Sequence, residues 1–129
     1  MIIVDTSAWI EFFRDGEPSV VGKVDRYLER DLVGIGDLIY CEVMQGIRSV
    51  AQRRQISGLL LSLPRFEMVG FLIAEKAADN YRLLRSRGVT VRKTVDVIIG
   101  TFCAENDLAL AHHDRDFDVM APHLGLRLV

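Results

Sequence analysis

The sequence contains few of the features that mark secreted or membrane proteins. It has only two cysteines, three prolines and one tryptophan in 129 residues. Cys41 and Cys103 lie in apolar surroundings without metal-ligand spacing, so neither a disulfide framework nor a zinc site is predicted. The longest uninterrupted apolar stretch, residues 97–104, is too short for a transmembrane helix. Because Asp5 interrupts the apolar start and no basic residue precedes it, no signal peptide is predicted.

The composition is that of one folded domain. Half of the residues are hydrophobic and 26% are charged, which argues against disorder. The length is close to the most common size of a single domain, so we expect one domain comprising residues 1–129. With neither an export signal nor a membrane segment, the expected location is cytoplasmic.

Charge is distributed unevenly along the chain, although the net charge is only -2. Residues 1–45 carry four basic and nine acidic side chains, residues 46–93 carry ten and three, and residues 94–129 carry two and six. Carboxylates from both ends and a basic middle predict an acidic site beside a surface that attracts polyanions. The alternative is that these charges only cover solvated helix faces.

The apolar pattern predicts strands that alternate with helices. Pro18 marks the start of one helix, Pro64 the end of another and Gly88 the end of a long one, and Asp37 is a predicted N-cap. An alternating order implies a parallel sheet with helices on both faces, which is an α/β fold. Short strands are predicted at residues 2–4, 33–36, 68–69, 108–111 and 126–128.

Acidic residues stand where two of the predicted strands end. Asp5 follows the first strand and Asp114 follows residues 108–111 closely. We expect them to meet, because the carboxyl ends of strands border the ligand crevice of an open α/β sheet. Asp96 lies in the first turn of a predicted helix, where it either serves a site or only stabilises the helix dipole. Glu42 lies within another helix, where an ordinary half-exposed glutamate is the alternative.

Converging carboxylates repel one another unless a cation neutralises them. Mg²⁺ or Mn²⁺ prefers oxygen ligands and keeps several waters that substrate phosphates replace. Such an ion also lowers the pKa of a bound water and stabilises a leaving oxygen. The sequence has no nucleophile elbow, P-loop or dinucleotide-binding motif. Metal-assisted hydrolysis of a phosphodiester is therefore the predicted chemistry.

Residues beside these acids have both functional and structural interpretations. Thr6 and Ser7 carry hydroxyls that could hold a water or a phosphate, or equally cap a helix. Asp116 is either a further ligand or an ion-pair partner of Arg115. His112 and His113 are interpreted chiefly as packing groups next to the site.

The basic middle of the chain supplies candidates for contacts to RNA phosphates. Such contacts give salt-dependent affinity without sequence readout. The selected residues are Arg82, Arg85, Arg92 and Lys93, and the last two lie nearest to Asp96 in sequence. Arg48, Arg53 and Arg54 are further candidates.

Four motifs together resemble the PIN-domain ribonucleases and, more narrowly, the VapC toxins of bacterial toxin–antitoxin pairs. They are Val-Asp-Thr-Ser-Ala-Trp at 4–9, Glu42, Thr-Val-Arg-Lys-Thr-Val-Asp at 90–96 and His-Asp-Arg-Asp-Phe at 113–117. Each motif alone is weak, but the ordered set is specific and the resemblance covers essentially the whole chain.

The resemblance implies a three-layer α/β/α sandwich with a central parallel sheet, and a Mg²⁺-dependent endoribonuclease with Mn²⁺ as an alternative cofactor. Glu42 falls on the family's helix glutamate, which would orient or help activate the attacking water. Asp116 and Thr6 fall on auxiliary positions. The family's metal-binding acids fall on Asp5, Asp96 and Asp114.

The resemblance also implies partners. These are an RNA substrate, a cognate antitoxin protein that blocks the site, and a second copy of the chain in a homodimer. No association with a membrane is implied.

Three other functions are compatible with parts of the pattern. A PIN-like fold could be kept as a catalytically silent binding module. A phosphatase of the haloacid-dehalogenase type also begins with a strand and an aspartate, but it needs a second aspartate where this chain has Ser7. A receiver-like module would need paired acids after the first strand and a late lone lysine. Metal-dependent turnover and choice of substrate separate these alternatives.

Overall fold

The computed structural model describes residues 1–129 and contains four strands and seven helices. The strands are β1 (Ile2–Val4), β2 (Val33–Gly36), β3 (Arg65–Phe66) and β4 (Ala109–Ala111). The helices are α1 (Thr6–Phe13), α2 (Pro18–Glu29), α3 (Asp37–Gln45), α4 (Val50–Ser62), α5 (Gly70–Ser86), α6 (Thr94–Glu105) and α7 (Arg115–Leu124). None of these helices is both long enough and apolar enough to span a membrane.

The four strands form one parallel sheet in the order β3-β2-β1-β4. The chain moves outward from β1 to β2 and β3, and then returns to add β4 on the other side of β1. Right-handed crossovers therefore place α1–α4 on one face of the sheet and α5–α6 on the other. This arrangement confirms the predicted α/β/α sandwich with a central parallel sheet.

Both faces of the central strands are covered, so these strands are continuously apolar rather than alternating. Every residue of β1 and β4 is buried. The largest fully buried side chains on the flanking helices are Trp9 of α1 and Phe117 of α7. Trp9 stacks on Phe13 with a ring-centre distance of 5.4 Å. The core therefore fixes the strand ends from which the acidic residues project.

Two of the predicted strands differ from the structure. The strand predicted at 68–69 is wrong, since β3 lies at residues 65–66. Met68 is buried because its side chain packs into the core, and its backbone N–H donates to Asp37 Oδ1 at 3.0 Å rather than to a strand. The strand predicted at 126–128 is reduced to a single parallel bridge between Leu110 and Leu128.

The signals at helix ends mostly agree with the structure. Pro18 begins α2, and α4 ends at Ser62 just before Pro64. Gly88 follows α5 with φ +72°, a conformation that glycine adopts without strain. The predicted N-cap at Asp37 is wrong by one residue, because Gly36 is the cap and Asp37 begins α3.

Candidate active site

Asp5 and Asp114 lie where the order of the strands reverses. β1 has β2 on one side and β4 on the other, and ligands of open α/β sheets bind at such a switch point. The backbone N–H of Asp5 donates to Ala111 at the end of β4, with an N–O distance of 2.8 Å. Asp114 is the N-cap of α7, and its Oδ1 accepts from the backbone N–H of Asp116 at 2.9 Å. Two distant parts of the sequence thus meet at one crevice.

Three carboxylates form a close group, which we call the acidic cluster: Asp96, Asp114 and Asp116. One oxygen from each lies within 4.8 Å of the others. Asp96 lies in the first turn of α6, whereas the other two belong to the start of α7. Asp5 lies outside this close group, but its charge raises the pKa of Asp96, so it faces the same space.

Asp5 has one satisfied and one unsatisfied carboxylate oxygen. Oδ2 accepts from the backbone N–H of Ser7 at 3.0 Å and from its hydroxyl at 2.6 Å. Oδ1 is buried without a hydrogen-bond partner. Burial raises the pKa of Asp5 above its ordinary value; the bonds from Ser7 lower it, and the charge of Glu42 raises it further.

Asp96 is only 2% exposed, and its Oδ2 also has no hydrogen-bond partner. The ammonium of Lys93 lies 3.8 Å from this oxygen, beyond hydrogen-bond length. Burial raises the pKa of Asp96 to about 7, against the lowering effect of Lys93, and the charges of Asp5, Asp114 and Glu42 add to the increase. The site thus crowds several carboxyl groups together, and the buried Oδ2 of Asp96 is left without a hydrogen-bond partner.

Glu42 faces the same crevice from α3. The hydroxyl of Thr6, the first residue of α1, donates to Glu42 Oε1 at 2.8 Å. This bond fixes the half-buried glutamate between two elements that are separated by 36 positions in sequence. The charge of Glu42 raises the pKa values of Asp5 and Asp96, so its carboxylate lies near both.

This donor set fits a divalent cation. Three carboxylates lie close together, and two buried oxygens, Asp5 Oδ1 and Asp96 Oδ2, lack any partner. A buried carboxylate oxygen without a partner carries a desolvation cost that a bound cation removes. All of these ligands are oxygens, and the set contains no sulfur or nitrogen, which is typical of sites for hard cations.

Comparison with known proteins identifies the family of this chain. Residues 2–121 match the family model described as the PIN domain. The chain belongs to the PIN-domain family. It is 31% identical over 123 residues to ribonuclease VapC11 of Mycobacterium tuberculosis, which covers 94% of this chain and 92% of that protein.

Solved structures of more distant proteins share the PIN fold. The crystal structure of VapBC2 from Rickettsia felis bound to a promoter DNA fragment has a TM-score of 0.77 at 13% identity. DNA-bound VapBC from Salmonella typhimurium has a TM-score of 0.76 at 17% identity. Both comparisons cover 100% of this chain and 98% of the other.

Ser7 and His112, for which the sequence left functional and structural interpretations open, hold the PIN-domain crevice together. The Ser7 hydroxyl donates to Asp5 and accepts from the backbone N–H of His113 at 2.9 Å, so it joins the ends of β1 and β4. His112 Nδ1 accepts from the backbone N–H of Asp114 at 3.0 Å, which places the ring proton on Nε2, 3.2 Å from Asp118. The signal for Ser7 was its place two residues after the strand acid.

The four arginine and lysine candidates occupy different places in this PIN domain. The Arg92 guanidinium contacts two members of the acidic cluster, Asp116 at 3.1 Å and Asp114 at 3.6 Å. The Lys93 ammonium lies 3.8 Å from Asp96 Oδ2. Arg82 is paired with Asp79 on the exposed side of α5, and Arg85 lies over the Tyr81 ring. Only the residues of the loop before α6 therefore reach the acidic cluster.

Proposed function

We propose that this PIN domain is a Mg²⁺-dependent endoribonuclease and the toxin of a toxin–antitoxin pair. The observation that carries the proposal is the close group of Asp96, Asp114 and Asp116 at the switch point of the sheet, where a buried oxygen of Asp96 has no hydrogen-bond partner. The relative named ribonuclease VapC11 and the VapBC structures support the same chemistry and pairing. As a single domain over residues 1–129, the protein would act on RNA in the cytoplasm.

Asp5, Asp96 and Asp114 would hold the cation, with Asp116 as an auxiliary acid. When bound, Mg²⁺ or Mn²⁺ supplies the positive charge that these carboxylates lack and polarises the phosphodiester. The set consists only of oxygens, which Mg²⁺ and Mn²⁺ both prefer as ligands. The aspartates would also help to position the substrate, because carboxylates on several rigid elements would keep the cation in one place.

Glu42 would act on the attacking water. Its Oε1 already accepts the Thr6 hydroxyl, so the other oxygen is left to take a proton. As the water oxygen bonds to phosphorus, its proton moves to Glu42 and the bond between phosphorus and the ribose oxygen breaks. The leaving oxygen then receives a proton from solvent. Thr6 is a positioning residue in this scheme.

An apolar groove beside Glu42 suits the antitoxin. It has a volume of about 530 Å³ and lies between α1, α3 and α4. Because Glu42 is part of the lining, a helix or strand placed in this groove would also cover the proposed catalytic glutamate. Its apolar lining consists of Ile10, Phe13, Val43, Ile47 and Ile56, and its charged lining of Arg14, Arg48 and Glu42. We propose a homodimer as the assembly that carries this groove.

Cleavage of total cellular RNA by the purified, antitoxin-free protein tests the nuclease. Digests with Mg²⁺, with Mn²⁺ and with chelator are compared with an Asp96→Asn variant whose fold is checked by circular dichroism. We expect cuts that need metal and are absent from the variant. Metal binding without any cleavage of RNA would favour the silent binding module, whereas hydrolysis of a phosphomonoester alone would favour the phosphatase.

A further inference from the structure

Two adjoining pockets lead away from the acidic cluster along α2. The first has a volume of about 450 Å³, and its charged lining consists of the acids Asp114 and Asp118 and the cations Lys23 and Arg115. The second has a volume of about 210 Å³ and is lined by residues of α2 and the segment after it. Lys23 and Val129 line both pockets, so the two are continuous. We call the combined surface the α2 groove.

The charged residues of the second pocket are all basic. They are Lys23, Arg26 and Arg30, and none of the three forms an ion pair with an acid. Their spacing of three and four positions places them in one row, about 10 Å long on a helix. The Lys23 ammonium is held at one end of the row by the Val129 carbonyl at 2.8 Å. Arg26 and Arg30 have no side-chain partner, and together with Lys23 they form a row of positive charge that attracts an extended polyanion.

An aromatic ring lies among these cations. Tyr27 is half-buried and lines the second pocket between Arg26 and Arg30. In the first pocket the side chain of His113 is 52% exposed. A basic pocket with accessible ring surface is the combination by which proteins bind single-stranded nucleic acid, since phosphates meet the cations and bases stack on the rings. The second pocket of the groove has this character, whereas the acids of the first pocket lie toward the acidic cluster.

We propose that the α2 groove binds the single-stranded RNA that extends from the scissile phosphate. Lys23, Arg26 and Arg30 contact consecutive backbone phosphates, and Tyr27 stacks on a base. The continuity of the groove with Asp114 favours an extended strand over an isolated anion, because a strand cut at the cluster must leave through adjoining surface. This inference rests on the proposed function, since it assigns a path to the substrate of the same site.

The first test measures RNA binding with the row neutralised. The probe is a fluorescein-labelled oligouridylate of about twelve nucleotides, and every protein carries Asp96→Asn so that the RNA stays intact. We expect Lys23→Gln/Arg26→Gln/Arg30→Gln to bind at least about tenfold more weakly at about 50 mM salt. The slope of log affinity against log salt should become shallower by about two, because each lost contact to a single strand accounts for about 0.7.

The matched control removes three positive charges elsewhere. Arg65→Gln/Lys76→Gln/Arg87→Gln has the same net charge, and none of these residues lines the α2 groove. We expect its salt slope to equal that of the parent. If both triple variants lose the same affinity and slope, net charge alone attracts the RNA and the proposal is overturned.

The second test asks whether the Tyr27 ring contributes to RNA binding and whether the RNA lies in the α2 groove. Tyr27→Leu keeps the apolar packing of the half-buried side chain but removes the ring, and should weaken binding about tenfold, whereas Tyr27→Phe should not. A 4-thiouridine oligonucleotide should cross-link within residues 23–30. Cross-links confined to α5 would overturn the proposal. Cleavage of cellular RNA by the unmodified protein is measured alongside, so that a nuclease without an α2 groove is distinguished from a protein that is not a nuclease.

Discussion

At the scale of single residues, Asp96 carries a proton near neutral pH when no cation is bound. Its pKa is about 7 in the folded protein because it is buried, against an ordinary value of 3.8. A carboxyl whose pKa is raised by folding stabilises the protein below its unfolded pKa, and this contribution is lost as the pH rises through the folded pKa. The metal-free protein should therefore lose stability between about pH 4 and pH 7.

The Asp96→Asn variant tests this contribution. At about pH 8, with chelator present to remove metal, the variant should be more stable than the parent because it buries no charge. Its free energy of unfolding should be larger by on the order of a few kcal/mol, and its melting temperature should be higher. Below about pH 4, where Asp96 is protonated in both the folded and the unfolded state, the difference should disappear. Adding Mg²⁺ should raise the melting temperature of the parent only. Equal melting curves of the two chelated proteins at both pH values would contradict the raised pKa.

Arg92 competes with the cation for the acidic cluster. Its guanidinium contacts Asp116 and Asp114, and their charges raise the pKa of Arg92. The side chain is 71% exposed, so the pair is weak and exchangeable. Arg92→Gln should bind Mn²⁺ about threefold to tenfold more tightly, measured by calorimetry, because one repelling charge is removed.

Arg127→Gln is the control for Arg92. Arg127 forms a comparable exposed ion pair with Asp107, away from the acidic cluster. Its variant should bind Mn²⁺ with unchanged affinity. An equal effect of both substitutions would show that Arg92 acts only through the net charge.

The bond from Thr6 to Glu42 gives a further prediction. Thr6→Val keeps the shape of the side chain but removes the donor, so the cleavage rate should fall about tenfold while Mn²⁺ affinity stays the same. Thr6→Ser should restore the rate. A fall in Mn²⁺ affinity with Thr6→Val would instead place the hydroxyl among the groups that hold the cation.

The individual site residues were largely predictable, because Asp5 and Asp114 follow buried strands that the apolar pattern reveals. The lack of hydrogen-bond partners at Asp5 Oδ1 and Asp96 Oδ2 could not be predicted, because it depends on packing between segments far apart in sequence. The proximity of Asp116 to Asp96 could not be predicted either, because it results from the way α7 begins beside α6. Their roles as metal ligands remain predictions.

At the scale of secondary-structure elements, the close packing of β2 and α3 against Met68 positions Glu42. A methyl group added at Gly36 would lie 2.1 Å from Met68 Sδ, which is far too close. Gly36→Ala should therefore lower the free energy of unfolding by about 1–3 kcal/mol in denaturant titrations, and should shift α3 enough to slow cleavage.

Gly58→Ala is the matched substitution on α4. A methyl group there meets nothing within 4 Å and the site is exposed. This variant should be more stable than the parent by about 0.5–1 kcal/mol, because alanine favours the helix. Destabilisation by both substitutions to a similar extent would contradict the packing argument.

Strands with a continuous apolar pattern were predictable, and strands without one were not. The strand 2–4 is continuously apolar and was predicted correctly, whereas β3 contains only Arg65 and Phe66 and has no pattern to detect. Met68 resembles a strand residue in sequence because it is apolar, but the core buries it from a loop. At the far end, Leu128 pairs through one bridge only, since the segment leaves the sheet immediately.

At the scale of the whole molecule, the surface charge differs from the charge along the chain. The basic middle predicted a polyanion surface, yet the row along the α2 groove belongs to the acidic first third of the sequence. Lys23, Arg26 and Arg30 are outnumbered there in sequence but lie together on one side of a helix. Net charge per segment cannot detect such a row because it ignores the direction of side chains.

The proposed homodimer has a candidate surface at the start of α5. Phe71 is 93% exposed and Leu72 is 67% exposed, an uncommon exposure for neighbouring large apolar side chains. Phe71→Glu/Leu72→Glu should convert a dimer into a monomer in light scattering. Val50→Glu, at another exposed apolar position, should leave the mass unchanged. A monomeric parent protein would rule out the dimer.

The acids of the candidate active site are contributed by both ends of the sequence, and this has a consequence during synthesis on the ribosome. Asp5 leaves the exit tunnel early, but Asp114 and Asp116 follow only after more than a hundred further residues, and β4 must pair with β1 before they reach Asp96. A nascent chain that is still being translated therefore lacks an assembled cleavage centre. A nuclease built in this order does not cut the message from which it is being made until its own translation is nearly finished.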